Sequence, residues 1–550
     1  LKFEILILGT LFLALPDIRG SWWEENPNPE TWVQARESSR NQLREKLQKG
    51  GPAALKPGSS LEQEFRLWQW LGEWPEARGM DPKIFTELGK NHELVRAYFE
   101  NIQKEDRRGE VLEILSKMQT QAPQEMKDLS GLAVAIALVF DQPFPDKWPH
   151  HQVPASAVPR EVVDPVQRLK EMAQLQSKRR YALNLPDLSV NELKFLVDHP
   201  LPESEMEWAR KNVTTSRSSF DKVFSSIRYD FARLQAGLLT WPYPTYRLTD
   251  IKDKGGICVD QGYFAAMAGK AKGLPTLFFT GQGESGGHAW FGYLDAPGRW
   301  VTDCGKYAEE NYPVGEAMDP QTWKPITDTE LTFLAKGRER SEGYRQAKLW
   351  TDYATAMGPQ DGNPFLDAAL ALQPEFLAAW NVRGAWLDET GTSQQREEFW
   401  RAFVKRFSRY PDLKVGGQEK LLELAKARGD EPAAKNLERQ ILVQNRTKRF
   451  DLSIGATAAK VGEKIEAGDW VGAESAYRQA LREFKGQSGG HLLYGLVAPF
   501  VDTALAEGQP KTAKNALQEA KRVLKAGKDT LVGQALLELE NQVKTAQPAS

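Results

Sequence analysis

A glycine and alanine spacing that recurs about every 40 residues limits what the last third of this chain can become. "GDWVGAESAYRQALREF", from Gly468, places Ala473, Ala476 and Ala480 at helical intervals and ends on Phe484. "GQPKTAKNALQEAKRVL", from Gly508, repeats the pattern with Ala513, Ala516, Ala520 and Leu524. A weaker copy begins at Gly429, with Ala434, Leu437 and Ile441 in register. This is the period of stacked helix pairs, in which small residues let helices approach and each unit buries its apolar face only against its neighbours. "AALALQPEFLAAWNVRGAWL", around Pro374, reads as another helix-turn-helix of this kind. The spacing predicts a helical repeat region over residues 350–545. Such an array either positions a protein partner or is plain helical packing.

The remainder is too long for one hydrophobic core, since the chain has 550 residues. From Ser60 to Phe140 the text is helical. "SSLEQEFRLWQWLG" opens with serine caps and spaces Phe65, Trp68 and Leu71 on one face. "SGLAVAIALVF" is apolar all round at a length that suits a buried helix and not a membrane span. Residues 21–204 are expected to form an N-terminal helical domain that ends in a proline-rich connection. His150 and His151 sit in that connection and read as loop residues, with no cysteine or third histidine nearby to complete a metal site. Lys and Arg (72) nearly balance Asp and Glu (74), which removes the electrostatic footprint of a nucleic-acid binder. Residues 1–20 carry an apolar run from Ile5 to Leu15 behind Lys2, the pattern of a secretory signal or of an uncleaved N-terminal anchor. Export, to a periplasmic or extracellular location, is the expectation, with no stable membrane span beyond that anchor.

The period changes between Gly255 and Lys306. "GGICVDQGYFAAMAGKAKGLP" reads as a helix opened by a Gly-Gly pair and closed by Gly273 and Pro275. "TLFFTG", "HAWFGYL" and "RWVTDCG" read as strands, the last two joined through the turn "DAPG". A helix followed by three strands predicts an α+β unit, bounded at 205–335. Cys258, one of only two cysteines, opens the helix. A free thiol ionises near pH 8.5, and a helix N-terminus or a nearby imidazolium lowers that value. His288 follows a glycine-rich loop at the start of a strand, and Asp303 lies on the next strand, within a residue or two of the cross-strand position. A carboxylate there would hold the imidazole, as the third member of a Cys-His-Asp triad does. Asp260 reads as a first-turn carboxylate complementing the helix dipole, and Gln261 as helix surface.

The stretches "GGICVDQGYFAAMAGKAKGLPT", "GGHAWFGYL" and "RWVTDCG" resemble the transglutaminase-like superfamily, papain-related cysteine acyltransferases and proteases. Gly256, Cys258, Gly273, Leu274, Pro275, His288, Ala289, Trp290, Trp300 and Asp303 fit its pattern. The likeness spans at most Phe220 to Ala335 and assigns nothing to the flanking domains. Cys304, after the aspartate, and Gly292, after "HAWF", depart from the pattern without touching the triad. The C-terminal spacing resembles tetratricopeptide repeats with degenerate motifs. Together these imply a transglutaminase-like (papain-like) α+β core flanked by an N-terminal all-α domain and a C-terminal α-helical repeat domain.

The resemblance implies that His288 deprotonates Cys258, which attacks a peptide or protein amide to form a thioester, with Asp303 orienting His288. Water or an amine then resolves the thioester, so hydrolysis and transamidation stay open. It implies no metal or organic cofactor. The Cys258 amide is one oxyanion donor, and Trp241, Tyr243 and Tyr246 are candidates for the other. The competing class is a non-catalytic extracytoplasmic adaptor that binds partners through its repeats. Three further expectations follow. Iodoacetamide near pH 6 should label Cys258 well before Cys304; the two cysteines should form no disulfide; and the repeats should be separable from catalysis, so that a chain ending near Lys348 keeps its reactive thiol.

Overall fold

A computed structural model describes residues 28–546, apart from 78, 309, 336–340, 487–488 and 529. The expected signal or anchor at 1–20 lies outside the described residues. Among these, no helix is long and apolar enough to cross a membrane. The described residues are mostly helical and carry one small antiparallel sheet of five strands.

Local chemistry sets the helices. Ser59 accepts the Glu62 amide at 3.2 Å and starts the helix Ser60–Leu71, which buries Phe65, Trp68, Trp70 and Leu71. The helix Ser130–Phe140 is buried from Leu132 to Val139, as its unbroken apolar text requires. Its neighbours share a core that runs without interruption from Trp32 through Leu138 and Phe195 to Trp290 and Leu331. The helices before residue 204 and the sheet after it are therefore packed as one body. Lys270 shows how closely: its buried ammonium reaches Asp198 at 2.5 Å and the Phe195 carbonyl at 2.5 Å.

The sheet order is β3-β2-β1-β4-β5, with β1 at Thr276–Gln282, β2 at Gly287–Ala296, β3 at Arg299–Cys304, β4 at Glu316–Met318 and β5 at Pro325–Thr327. The helix Cys258–Ala271 packs across β2 and β1. On one side of β2, His288 pairs with Gly281; on the other, Phe291 pairs with Cys304. The β2–β3 register shifts between Phe291 and Tyr293, so β3 is bulged at Thr302–Asp303.

The C-terminal copies are helix hairpins. Gly429, Gly468 and Gly508 each close the first helix of a pair with φ between +69° and +74°, a conformation that glycine adopts without strain. Ala434, Ala473 and Ala513 follow them as buried contacts of the second helices. Gly468→Ala is expected to lower stability by about 1–2 kcal/mol, the cost of a left-handed side-chain residue, as read by urea denaturation.

The first helices of this region pack on the N-terminal ones. Leu349, Tyr353 and Phe365 share a core with Leu43, Phe65 and Trp68, and buried Arg66 meets Asp352 at 2.8 Å. A chain ending near Lys348 would cut the helix Glu342–Met357 inside this core, so that boundary does not separate two units.

Candidate active site

Cys258 is the first residue of its helix and is half-buried. The segment before it is held by the chain at Arg228–Asp230, which exchanges backbone hydrogen bonds with Gly256 at 3.0 Å on both sides. That pairing sets Tyr229 beside Cys258 in a small cluster with Ile257, Val259, Leu234, Leu239, Phe278 and Ala289. The backbone amides of Ala289 and Val259 favour the thiolate form of Cys258, and Ala289 belongs to the cluster on which it packs. Cys258 therefore lies against the residue that follows His288.

The surroundings of the thiol disfavour its thiolate. Burial pushes it up to about 11, and the neighbouring Asp260 adds to the rise, while the Ala289 and Val259 amides oppose it. The helix N-terminus supplies the expected amides, yet apolar walls and a carboxylate in the same turn outweigh them. The expectation of labelling near pH 6 is corrected accordingly: alkylation of Cys258 by iodoacetamide should keep rising from pH 7 to beyond pH 9 with no plateau below. Cys304 should lag behind at every pH, because it is 5% exposed and its thiol is pushed up to about 12. Peptide mapping after timed alkylation checks both statements. Both cysteines are free, and Cys304 lies in the core behind the strand.

His288 is buried, with its ring stacked on Tyr307 at 4.1 Å and near Tyr312 at 5.5 Å. Its Nε2 lies 2.8 Å from the Gly305 carbonyl. A carbonyl only accepts, so Nε2 carries the proton and Nδ1 is the basic nitrogen of the neutral ring. Burial pulls the imidazole below its ordinary value, with the Gly305 bond and the field of Glu310 opposing. His288 is thus neutral at pH 7.

Asp303 does not reach it. The side chain of Asp303 is exposed, and the register puts Cys304 opposite Phe291, three residues beyond His288. The bulge and the turn at Gly305 bring a carbonyl to the position expected for the carboxylate. A hydrogen-bond acceptor is present, but not the one the strand spacing suggested.

Two residues in the first turn of the Cys258 helix are buried, and for Gln261 this replaces the expected surface position. Asp260 is the first-turn carboxylate that its sequence reading has, but a fully buried one with an ion pair: it receives the Ile257 amide at 2.8 Å, Arg233 at 2.6 Å and the Tyr246 hydroxyl at 2.9 Å. Burial raises its carboxyl, and Arg233 counters most strongly. Gln261 is buried as well and donates to the Ile227 carbonyl at 2.7 Å. His150 lies in irregular backbone, as its sequence reading has it, but is buried. Its Nε2 meets the Tyr246 hydroxyl at 3.0 Å, its ring stacks on Phe278, and burial pulls it down to about 3.

The three oxyanion candidates have other partners. Trp241 donates to the Thr245 carbonyl, Tyr246 to Asp260, and the Tyr243 ring lies under Lys254. Tyr229 packs on the same cluster as Cys258, and burial raises its hydroxyl, with the fields of Cys258 and Tyr307 adding to the rise. Sequence reading missed Tyr229 and Tyr307 because neither stands at a spacing that links it to Cys258 or His288. No group of three or more His, Cys, Asp or Glu side chains among the described residues could hold a metal ion.

The chain matches no protein-family model, no curated protein and no solved structure.

Proposed function

We propose that this protein is a transglutaminase-like cysteine acyltransferase acting on peptide or protein amide bonds. The observation that carries this reading is the packing of Cys258, at the start of its helix, on the cluster that holds Ala289, which seats the thiol next to the strand residue that follows a histidine whose Nδ1 is its basic nitrogen. A helix opened by cysteine and packed on the histidine strand fits that class of core. The flanking helices and repeats would then bind the chain that carries the amide.

The ionisation of the two groups favours general-base catalysis over a preformed thiolate. His288 Nδ1 takes the thiol proton as the sulfur attacks the carbonyl carbon. The carbonyl oxygen becomes an oxyanion, for which the Cys258 amide is one donor. Collapse breaks the carbon–nitrogen bond, and the imidazolium returns its proton to the leaving amine. Water or a second amine then takes the acyl group from sulfur. Only neutral His288 serves as base, so the rate falls on the acid side as His288 protonates, below its ordinary value of about 6.5.

Hydroxylamine intercepts thioesters. Incubation with a mixed peptide pool and hydroxylamine is expected to yield peptidyl hydroxamates with the native chain and none with Cys258→Ala. A second reading, an adaptor with an inert core, has its own support in the raised thiol and the exposed Asp303. It requires that no hydroxamate form with either chain.

A further inference from the structure

The glycine-rich loop that leads into His288 is held from two sides. Within the sheet domain, Glu310 accepts the amides of Glu284 (2.7 Å) and Ser285 (3.3 Å). From the repeat region, the Gly490 amide donates to the Gly283 carbonyl at 3.1 Å, and the His491 ring hydrogen-bonds the Gln282 carbonyl. The approach is too close for side chains. A Cβ on Gly489 would stand 2.7 Å from the Glu284 carbonyl oxygen, and one on Gly490 would stand 2.8 Å from that of Gly283. The helix Leu531–Thr545 adds a third contact, because a Cβ on Gly286 would lie 2.7 Å from that of Leu531.

One turn further along the same helix face, Gln534 reaches the other side of the site, within 3.7 Å of where a Cβ on Gly237 would lie. Gly237 precedes Leu238 and Leu239, whose carbonyls Arg233 holds at 2.8 and 2.6 Å, and Leu239 packs on the same Ile257–Val259–Ala289 cluster as Cys258. The last repeat therefore bridges the two segments that flank the thiol and the imidazole.

We infer that the C-terminal repeats complete the active site: Gly489–His491 and the Leu531–Gln534 face are positioning elements that set His288 against Cys258. This rests on the acyltransferase reading above and replaces the expectation that the repeats are separable from catalysis. It also gives a partner bound on the repeats a route to the reaction, since any shift of the last hairpin moves the His288 loop.

The test uses the full chain with Leu531→Ala/Gln534→Ala and Gly490→Ala, against Gly462→Ala at a helical position with open space around it. Hydrogen exchange read by mass spectrometry should speed up about fivefold or more in peptides covering 282–287 and 237–239 in the first two variants, and stay unchanged in Gly462→Ala. The ratio of Cys258 alkylation rates with and without His288 should exceed one in the native chain and fall toward one in the double variant. Should Gly490→Ala fail to fold, the double variant, which only shortens side chains, still decides. Unchanged exchange in both segments would overturn the inference. A ratio of one already in the native chain, with the exchange result as expected, would remove the acyltransferase reading and leave the bridging role intact.

Discussion

Asp260→Ala is expected to lower the unfolding free energy by about 3–5 kcal/mol, the range for removing one member of a buried ion pair. Arg233 would be left 5% exposed with its charge uncompensated, and the Ile257 amide and Tyr246 hydroxyl would each lose an acceptor. Urea denaturation followed by tryptophan fluorescence reads the effect. Arg233→Ala should cost a similar amount, and the double variant less than the two combined, because both act on one network. A loss below about 1 kcal/mol, as exposed pairs give, would mean that the pair does not hold the turn before Cys258.

His288→Ala should cut acyl transfer by about 10²–10⁴-fold, the usual contribution of a positioned base. Asp303→Asn should leave the rate essentially unchanged, since the Gly305 carbonyl already holds Nε2. The two results need to be read together. A large loss in Asp303→Asn would mean that the strand closes differently around substrate and that the carboxylate displaces the carbonyl. Hydroxamate yield per unit time, measured across pH 5–9, supplies both rates and the acid limb set by His288.

The elements of the site were legible, and its contacts were not. Gly255 to Pro275 could only be a short capped helix, and the strands around "HAWFGYL" followed from apolar text between turn residues. The repeat glycines stood out because a left-handed turn recurs at each copy. Asp303 was misplaced because one residue of bulge cannot be read from alternation, and a single-residue slip redirects every side chain after it. Gln261 reads as helix surface, and Asp260 as a first-turn carboxylate with no ion pair, because a single polar residue does not announce a buried partner. The partner, Arg233, lies 27 residues upstream. The thiol shift followed from the same blindness, since desolvation depends on neighbours such as Tyr229 and Leu239 that only the tertiary fold assembles. Docking of Gly490 on Gly283 was least visible, as it joins segments some 200 residues apart.

Intact mass of the protein after brief exposure to a mixed peptide pool at pH 8, quenched in acid to preserve thioesters, tests the central claim most directly. The account predicts an acyl adduct that maps to Cys258, is absent in Cys258→Ala, builds up far more slowly in His288→Ala, and is released by hydroxylamine. An unmodified mass in the native chain while Cys258 remains accessible to iodoacetamide, or an adduct on any other residue, would contradict it.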